Sequence, residues 1–320
     1  MRSEHNMNIN NRKISFIIPT FNCADTIKES IESIINGNFK EGDEIIIIND
    51  ASTDNTEKIL AELKLKFPVI IILKHNYNKG SAAAGRNTGI DYSKNEYIFC
   101  LDADNILAPN SVQELKSFMI KNEADIAAFG EMHFFQKDIN KITQKWIFKD
   151  DISLSDAIND KKFPGSSGNY LFTKDSWLRA SRYNESVGGA YDSWAFGIQQ
   201  LATGSKMVTM PKTFYFHRTG YDSTFMRDGN KRNSSLLALQ ILLPFLDLIE
   251  SDDIDYVMSH EKKYSWFDDI ENHSIKLKGI NINKNNKTVS IKNTTKIRKI
   301  DIIKIDIINL IKYVKNIINN

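Results

Sequence analysis

Residues 44–48 read Glu-Ile-Ile-Ile-Ile, and this run restricts the possible folds more than any other stretch of the chain. An unbroken β-branched segment gives a strand no polar face, so both its faces must be covered. That is the situation of an inner strand in a parallel sheet, where crossover helices lie above and below. The neighbouring sequence supplies them. Residues 13–18 (KISFII) are expected as a strand stopped by Pro19-Thr20, and residues 25–36 place Ile27, Ile31, Ile34 and Ile35 at helical spacing. A helix capped by Ser52 or Asp54 is expected to run through Leu63. Residues 69–74 form a third strand, 80–92 a helix rich in small residues, 97–101 a fourth strand and 111–122 a further helix. This alternation predicts a doubly wound, mostly parallel α/β sheet with helices on both faces.

Ligands of such sheets sit at the carboxyl ends of the strands. Polar residues collect at those ends here: Thr20, Asp50, Asn76, Asp102 and Asp104. In Asp102-Ala103-Asp104, two carboxylates two residues apart on an extended backbone point the same way. Their repulsion calls for a partner, and a divalent cation carrying phosphates would neutralise them. Standing alone, the pair reads more readily as a solvated turn after a strand.

The chain has 320 residues and 41% hydrophobic content, enough for one large domain with an extension. A net charge of +2 gives no case for nucleic acid. The two cysteines, Cys23 and Cys100, fit neither a metal spacing nor a disulfide framework, which suits a reducing cytoplasm. Residues 1–12 are polar and expected to be disordered, without the apolar core of a signal peptide. No stretch reaches the roughly 18 uncharged apolar residues of a membrane span. The expected location is cytoplasmic, with or without peripheral contact at the inner face of the membrane.

Further along, strands are expected at 125–133, 170–173, 207–210 and 213–217, and helices at 177–182 and 192–203. Residues 161–172 form a loop with Pro164, Gly165 and Gly168, and 185–190 a Gly-rich loop. Residues 236–249 are strongly apolar and interrupted by Pro244, within a segment 233–273 expected as helices packed on the domain. From 274 onward apolar and basic residues alternate. This extension, 274–320, reads either as a basic amphipathic segment on an anionic membrane or as an accessory packing or dimer element.

Four blocks then add up to a family. KISFIIPTFNCADTIKESIESI, DEIIIINDASTDNT, NKGSAAAGRNTGI and YIFCLDAD, in this order, resemble the family 2 glycosyltransferases of GT-A fold. The resemblance continues through GNYLFTKDSW, ESVGGAYDSWAFGIQQLATG and FHRTG, and so covers residues 13–225; a GT-A domain is expected over 13–232. It implies an inverting, hexosyltransferase-type transfer of a sugar from a nucleotide-diphosphate donor, most often a UDP-sugar. The acceptor is a hydroxyl of a glycan or lipid-linked intermediate in surface polysaccharide (capsule, O-antigen) synthesis. By the same resemblance Pro19, Thr20 and Phe21 line the nucleotide pocket, Asp50 takes the base, and Gly80 and Arg86 border the base and phosphates. Asp102 lies by the ribose, with Ala103 between it and Asp104. Asp104 and His217 hold Mn²⁺ or Mg²⁺, and Asp192 is the catalytic base.

The chemistry asks for these residue types. A leaving diphosphate gains charge that a divalent ion stabilises, and an acceptor hydroxyl must give its proton to a separate carboxylate. Each residue also has a plainer reading. Asp192 is otherwise an N-cap for the helix after it, with Glu185 the nearest rival carboxylate. His217 is otherwise a half-buried histidine and Arg86 a surface helix residue. Residues 219–232 are expected as a lid. Two other functions compete: a nucleotidyltransferase releasing pyrophosphate, and a non-catalytic sugar-nucleotide sensor or scaffold. The stretch Thr20-Phe21-Asn22-Cys23 lacks the glycines and basic residues of the first rival's phosphate loop.

Overall fold

The isoleucine run forms β2 (Glu44–Asn49), buried from Ile45 to Asn49. It lies between β1 (Ile14–Thr20) and β3 (Ile70–Lys74), parallel to both. In the computed structural model, residues 12–159, 163–187, 191–220, 241–254 and 275–278 are described. The chain divides into two units, residues 1–276 and 277–320, and every element named below belongs to the first.

The remaining strands are β4 (Tyr97–Cys100), β5 (Ile106–Leu107), β6 (Ile126–Phe135), β7 (Gln144–Ile147), β8 (Asp151–Ile152), β9 (Leu171–Thr173) and β10 (Met207–Arg218). Their order is β3-β2-β1-β4-β9-β6-β10-β5, with β7 on β6 and β8 on β10. From β3 to β4 the pairing is parallel. The short β9 is antiparallel to both β4 and β6, so β6 and β10 again run in the direction of β4. The carboxyl ends of β1, β2, β4, β6 and β10 therefore open on one crevice.

Helices cover both faces, as the isoleucine run requires. On one face, α1 (Ile27–Ile35), α2 (Thr56–Lys66) and α4 (Ser111–Lys121) pack on Ile14, Phe16, Ile18, Ile45 and Ile47. An aromatic row, Phe16–Phe99–Phe129–Tyr215, crosses this layer from β1 to β10 at centroid spacings of 6.0, 6.0 and 5.3 Å. Burial of each such side chain contributes about 1.5–3 kcal/mol. On the opposite face lies α3 (Ala82–Tyr92). A Cβ on Gly89 would stand 2.6 Å from both Ile17 and Ile48, and one on Gly85 3.0 Å from Pro19. These two glycines let α3 pack closely on the Ile17, Ile48 and Pro19 side chains of β1 and β2.

Several boundaries differ from the sequence expectation. β1 runs on through Pro19 and Thr20, which pair with Ile48 and Asn49; a proline next to the last strand residue costs one ladder bond at most. Residues 207–218 are one strand, because a bulge between Met210 and Phe214 absorbs Pro211 and Lys212. After the short α5 (Leu154–Asn159), the helix expected at 177–182 is α6 (Lys174–Arg179), started by the Thr173 side chain accepting from the Ser176 amide. At its far end Ser181 and Arg182 take positive φ, which stops it. The second helix begins at Thr56, whose amide donates to Asp54. Leu243–Leu248 is a 3₁₀ helix with Pro244 in its first turn. The expected disordered start, the lid beyond residue 220, most of 233–273 and nearly all of 274–320 lie outside the described residues.

The bulge brings the Met210 carbonyl against β6, where a Cβ on Gly130 would lie 2.5 Å from it. We predict that Gly130→Ala overpacks this point and costs about 1–3 kcal/mol. An unchanged urea midpoint in that variant would refute the prediction.

Candidate active site

Three polar clusters occupy the crevice at the strand ends. The first surrounds Asp50, just past β2, with 9% of its side chain exposed. Its amide donates to the Thr20 carbonyl at 2.8 Å, continuing the β1–β2 pairing. Its carboxylate accepts from the Lys79 amide at 2.9 and 3.1 Å, and His75 Nδ1 lies 2.5 Å from Oδ1. His75 Nε2 is in turn 2.9 Å from the Thr88 hydroxyl on α3. Gly80 takes φ +74°, the left-handed region that favours glycine, and its amide donates to Asn78. Thr20 is buried with its hydroxyl turned to the Ile18 carbonyl, Pro19 is half-buried and Phe21 stands 39% exposed at the mouth.

The second cluster links the two ends of the site. Arg86, on α3, is buried; its Nη2 donates to Asp102 at 2.8 Å and its Nη1 to Asp192 at 2.9 Å. The guanidinium lies 5.3 Å from the Tyr183 ring centroid, and its Nε has no partner. Asn169 grips Asp102 from the other side, accepting from its amide at 3.0 Å and donating to its carboxylate at 2.9 Å. Gly168, at φ +73°, makes the approach possible: a Cβ there would lie 2.5 Å from the Ser193 hydroxyl and 3.3 Å from Arg86. Asp192 is the first residue of α7 (Asp192–Ala202), and Tyr191 holds the capping position. Burial pushes the Asp192 carboxyl above its ordinary value, Arg86 opposes that rise and Asp102 adds to it.

The third cluster is at Asp104 and His217. Burial, and then the charge of Asp102, push the Asp104 carboxyl up to about 7. Its own amide and the charge of Arg218 act the other way. His217 Nδ1 is 3.4 Å from the Tyr215 hydroxyl, and burial lowers the pKa of the ring, favouring its neutral form. Arg218 joins the two segments: its amide donates to Asn105 Oδ1 and its Nε to the Asp104 carbonyl, each at 3.0 Å. Among the described residues no three His, Cys, Asp or Glu side chains form a ready metal cage. The charge of Asp102 acts on both Asp104 and His217, and a carboxylate and an imidazole are ligand types that suit a divalent cation drawing its other ligands from phosphates.

The structure joins Arg86, Asp102 and Asp192 by hydrogen bonds and sets Asp50, Asp104 and His217 at or just past the ends of strands of the same sheet, with three differences of detail. Arg86 is a buried bridge between two carboxylates and not a surface helix residue. Glu185 is exposed and accepts from Asn87 at 2.8 Å. At the end of β3 the inward group is His75, whereas Asn76 is exposed. His75, Thr88 and Asn169 were not foreseen as site residues. Asn169 sits within the GNYLFTKDSW block, which is the one sequence signal that pointed to it.

Comparison with known proteins gives a consistent picture. Residues 15–179 match the family described as Glycosyl transferase family 2. The poly(ribitol-phosphate) β-glucosyltransferase of Bacillus spizizenii is 33% identical over 229 residues, which cover 63% of this chain and 35% of that protein. The chain therefore spans about a third of that relative's length. The GalNAc(5)-diNAcBac-PP-undecaprenol β-1,3-glucosyltransferase of Campylobacter jejuni is 29% identical over 258 residues, 79% of this chain and 78% of that one. The crystal structure of S. aureus TarS 1-349 in complex with UDP-GlcNAc superposes with a TM-score of 0.61 at 16% identity, over 77% of this chain and 70% of that one, a likeness of fold. No helix among the described residues is long and apolar enough to cross a membrane.

Proposed function

The chain belongs to glycosyl transferase family 2, and from that premise we propose that it is an inverting, divalent-metal-dependent hexosyltransferase. It moves a sugar from a UDP-sugar to a hydroxyl of a glycan or lipid-linked acceptor in surface polysaccharide synthesis. The observation that carries this reading is a pair of carboxylates with separate surroundings. Asp104 faces Asp102 and Arg218, while Asp192 is buried against Arg86 and Ser193. The names of the two relatives, with their polymer and lipid-linked acceptors, support the acceptor class. The UDP-GlcNAc complex of the structural neighbour supports the donor class.

In this mechanism the acceptor oxygen bonds to the anomeric carbon as the bond from that carbon to the diphosphate oxygen breaks. The nucleoside diphosphate leaves on the opposite side, and the acceptor proton passes to Asp192. Burial raises the basicity of Asp192 toward that task, and the Arg86 guanidinium opposes the rise. Asp50 offers an acceptor to the base N–H. Asp104 and His217 would hold the cation, which supplies charge stabilisation to the diphosphate when bound. Asp102, gripped by Arg86 and Asn169, is fixed beside them.

Calorimetry with UDP, with and without Mn²⁺, tests the donor and metal assignments together. Mn²⁺ is expected to tighten UDP binding, and Asp104→Asn to abolish that gain while leaving metal-free binding close to wild type. If the Mn²⁺ gain survives in Asp104→Asn, the metal assignment is wrong. Release of UDP from a donor sugar, with no pyrophosphate from any nucleoside triphosphate, separates this reading from a nucleotidyltransferase. Turnover of any kind separates it from a binding scaffold.

A further inference from the structure

His75 is the one imidazole at the base-binding end of the crevice among the described residues. The proposed function gives it no task. Its side chain is 11% exposed and bonded at both ring nitrogens. An ionised carboxylate can only accept, so Nδ1 must carry the proton toward Asp50. In a neutral ring Nε2 then accepts the Thr88 hydroxyl proton. The result is a directed chain from α3 through the imidazole to the carboxylate: Thr88 Oγ1–H to Nε2, Nδ1–H to Asp50 Oδ1. The Lys79 amide meets the same carboxylate from the loop side, 2.9 Å from Oδ2.

We propose that His75 is a positioning residue for nucleobase selection, held by Thr88, that fixes which lone pairs of Asp50 face the base. This inference rests on the proposed donor site. A carboxylate has about four lone-pair directions. His75 takes one and the Lys79 amide one or two, which leaves Oδ2 with a defined free direction. A base edge presenting N–H to that direction gains a charge-assisted hydrogen bond. An edge presenting a bare ring nitrogen there meets a lone pair and is rejected. Uracil and cytosine differ in this way at ring position 3, with the same ribose and the same phosphates. Without the imidazole the Asp50 carboxylate can rotate about its last torsion and take a water, and its discrimination between the two edges weakens.

The alternative is that His75 only helps pack the loop from 75 to 81. The two roles part on a measurement that packing does not move, the ratio of UDP to CDP affinity. Asparagine places an amide donor near the position of Nδ1, whereas phenylalanine keeps the ring shape with no donor. For a hydrogen bond to a charged group, loss of the donor corresponds to about tenfold in affinity. His75→Phe is therefore expected to bind UDP about tenfold more weakly and to lose a similar factor in UDP-to-CDP preference, with kcat at saturating donor nearly unchanged. His75→Asn is expected to recover most of both. Thr88→Val, which removes the outer hydroxyl, is expected to shift the preference in the same direction by a smaller factor.

The experiment is calorimetric titration of UDP and CDP into the full chain and the three variants with Mn²⁺ present, alongside KM and kcat for a UDP-sugar. If wild type prefers UDP and His75→Phe keeps the same preference, the positioning role is overturned, whatever happens to stability. The same holds if His75→Asn fails to recover the preference while folding as wild type. If wild type binds neither nucleotide, the failure lies in the proposed donor site itself, and the inference falls with it.

Discussion

Transfer by the Asp192→Asn variant is expected to fall about 10²–10⁴-fold, the usual contribution of a positioned general base. UDP binding should change little. Asparagine keeps an oxygen that can accept from Arg86 Nη1, now 2.9 Å from Asp192 Oδ2, so the bridge persists while the proton acceptor is gone. The pH profile gives an independent reading. Asp192 acts in its ionised form, and burial raises its pKa above the ordinary 3.8. The wild-type rate should therefore decline as pH falls through a value above that of an exposed aspartate. This limb should vanish in the variant. The measurement needs saturating metal, because unliganded Asp104 has a pKa of about 7 and would otherwise add its own decline. Glu185→Gln is the control and is expected to transfer at close to the wild-type rate, since Glu185 is exposed and engaged by Asn87. Near-normal transfer in Asp192→Asn together with a large loss in Glu185→Gln would move the base assignment to Glu185.

Arg86→Met is expected to destabilise the fold by about 3–5 kcal/mol, the range for removing one partner of a buried ion pair. The cost arises mainly at Asp192, whose side chain is 5% exposed and would be left with its charge uncompensated. Asp102 is 27% exposed and retains Asn169, so it adds less. The sign of the pH dependence follows. Without Arg86 the folded-state pKa of Asp192 rises further above its unfolded value, so the folded variant binds more protons than the unfolded chain in that interval. Its stability must then recover as pH falls toward the unfolded carboxyl value and decline as pH rises. Urea denaturation at several pH values should show the gap to wild type narrowing in acid. Arg86→Lys should regain part of the loss, since a point charge remains but cannot reach both carboxylates in one plane. A gap below about 1 kcal/mol at neutral pH would place Arg86 among ordinary surface ion pairs.

The half of the sheet from β3 to β4 was legible because its strands are apolar runs separated by amphipathic or small-residue helices. Glu44–Asn49 could be little else, and the alternation around it dictated the parallel order. The second half was less so. β5 and β8 have two residues each and β7 has four, too few for any periodicity, and their existence depends on the strands they pair with. The single β10 was read as two strands because Pro211 signals an end, and only the partner strand shows that a bulge absorbs it. In the site, Asp102, Asp104 and Asp192 were found through motif order. The bridge between them was not, since Arg86 and Asp192 are 106 residues apart and no local pattern encodes a contact of that range. His75 was missed for a different reason. Adjacent residues at a strand end face opposite ways, so choosing Asn76 in place of His75 is a one-residue error that selects the wrong side of the sheet.

The seating of α3 gives the crevice a part that single substitutions cannot retune. With less than a methyl's clearance at Gly85 and Gly89, the helix has no neighbouring register on β1 and β2. Arg86 and Thr88 therefore keep their places on the sheet. A side chain at position 89 would meet Ile17 and Ile48 together, each at 2.6 Å, so both would have to give way. Positions 17, 48 and 89 should accordingly change together or not at all.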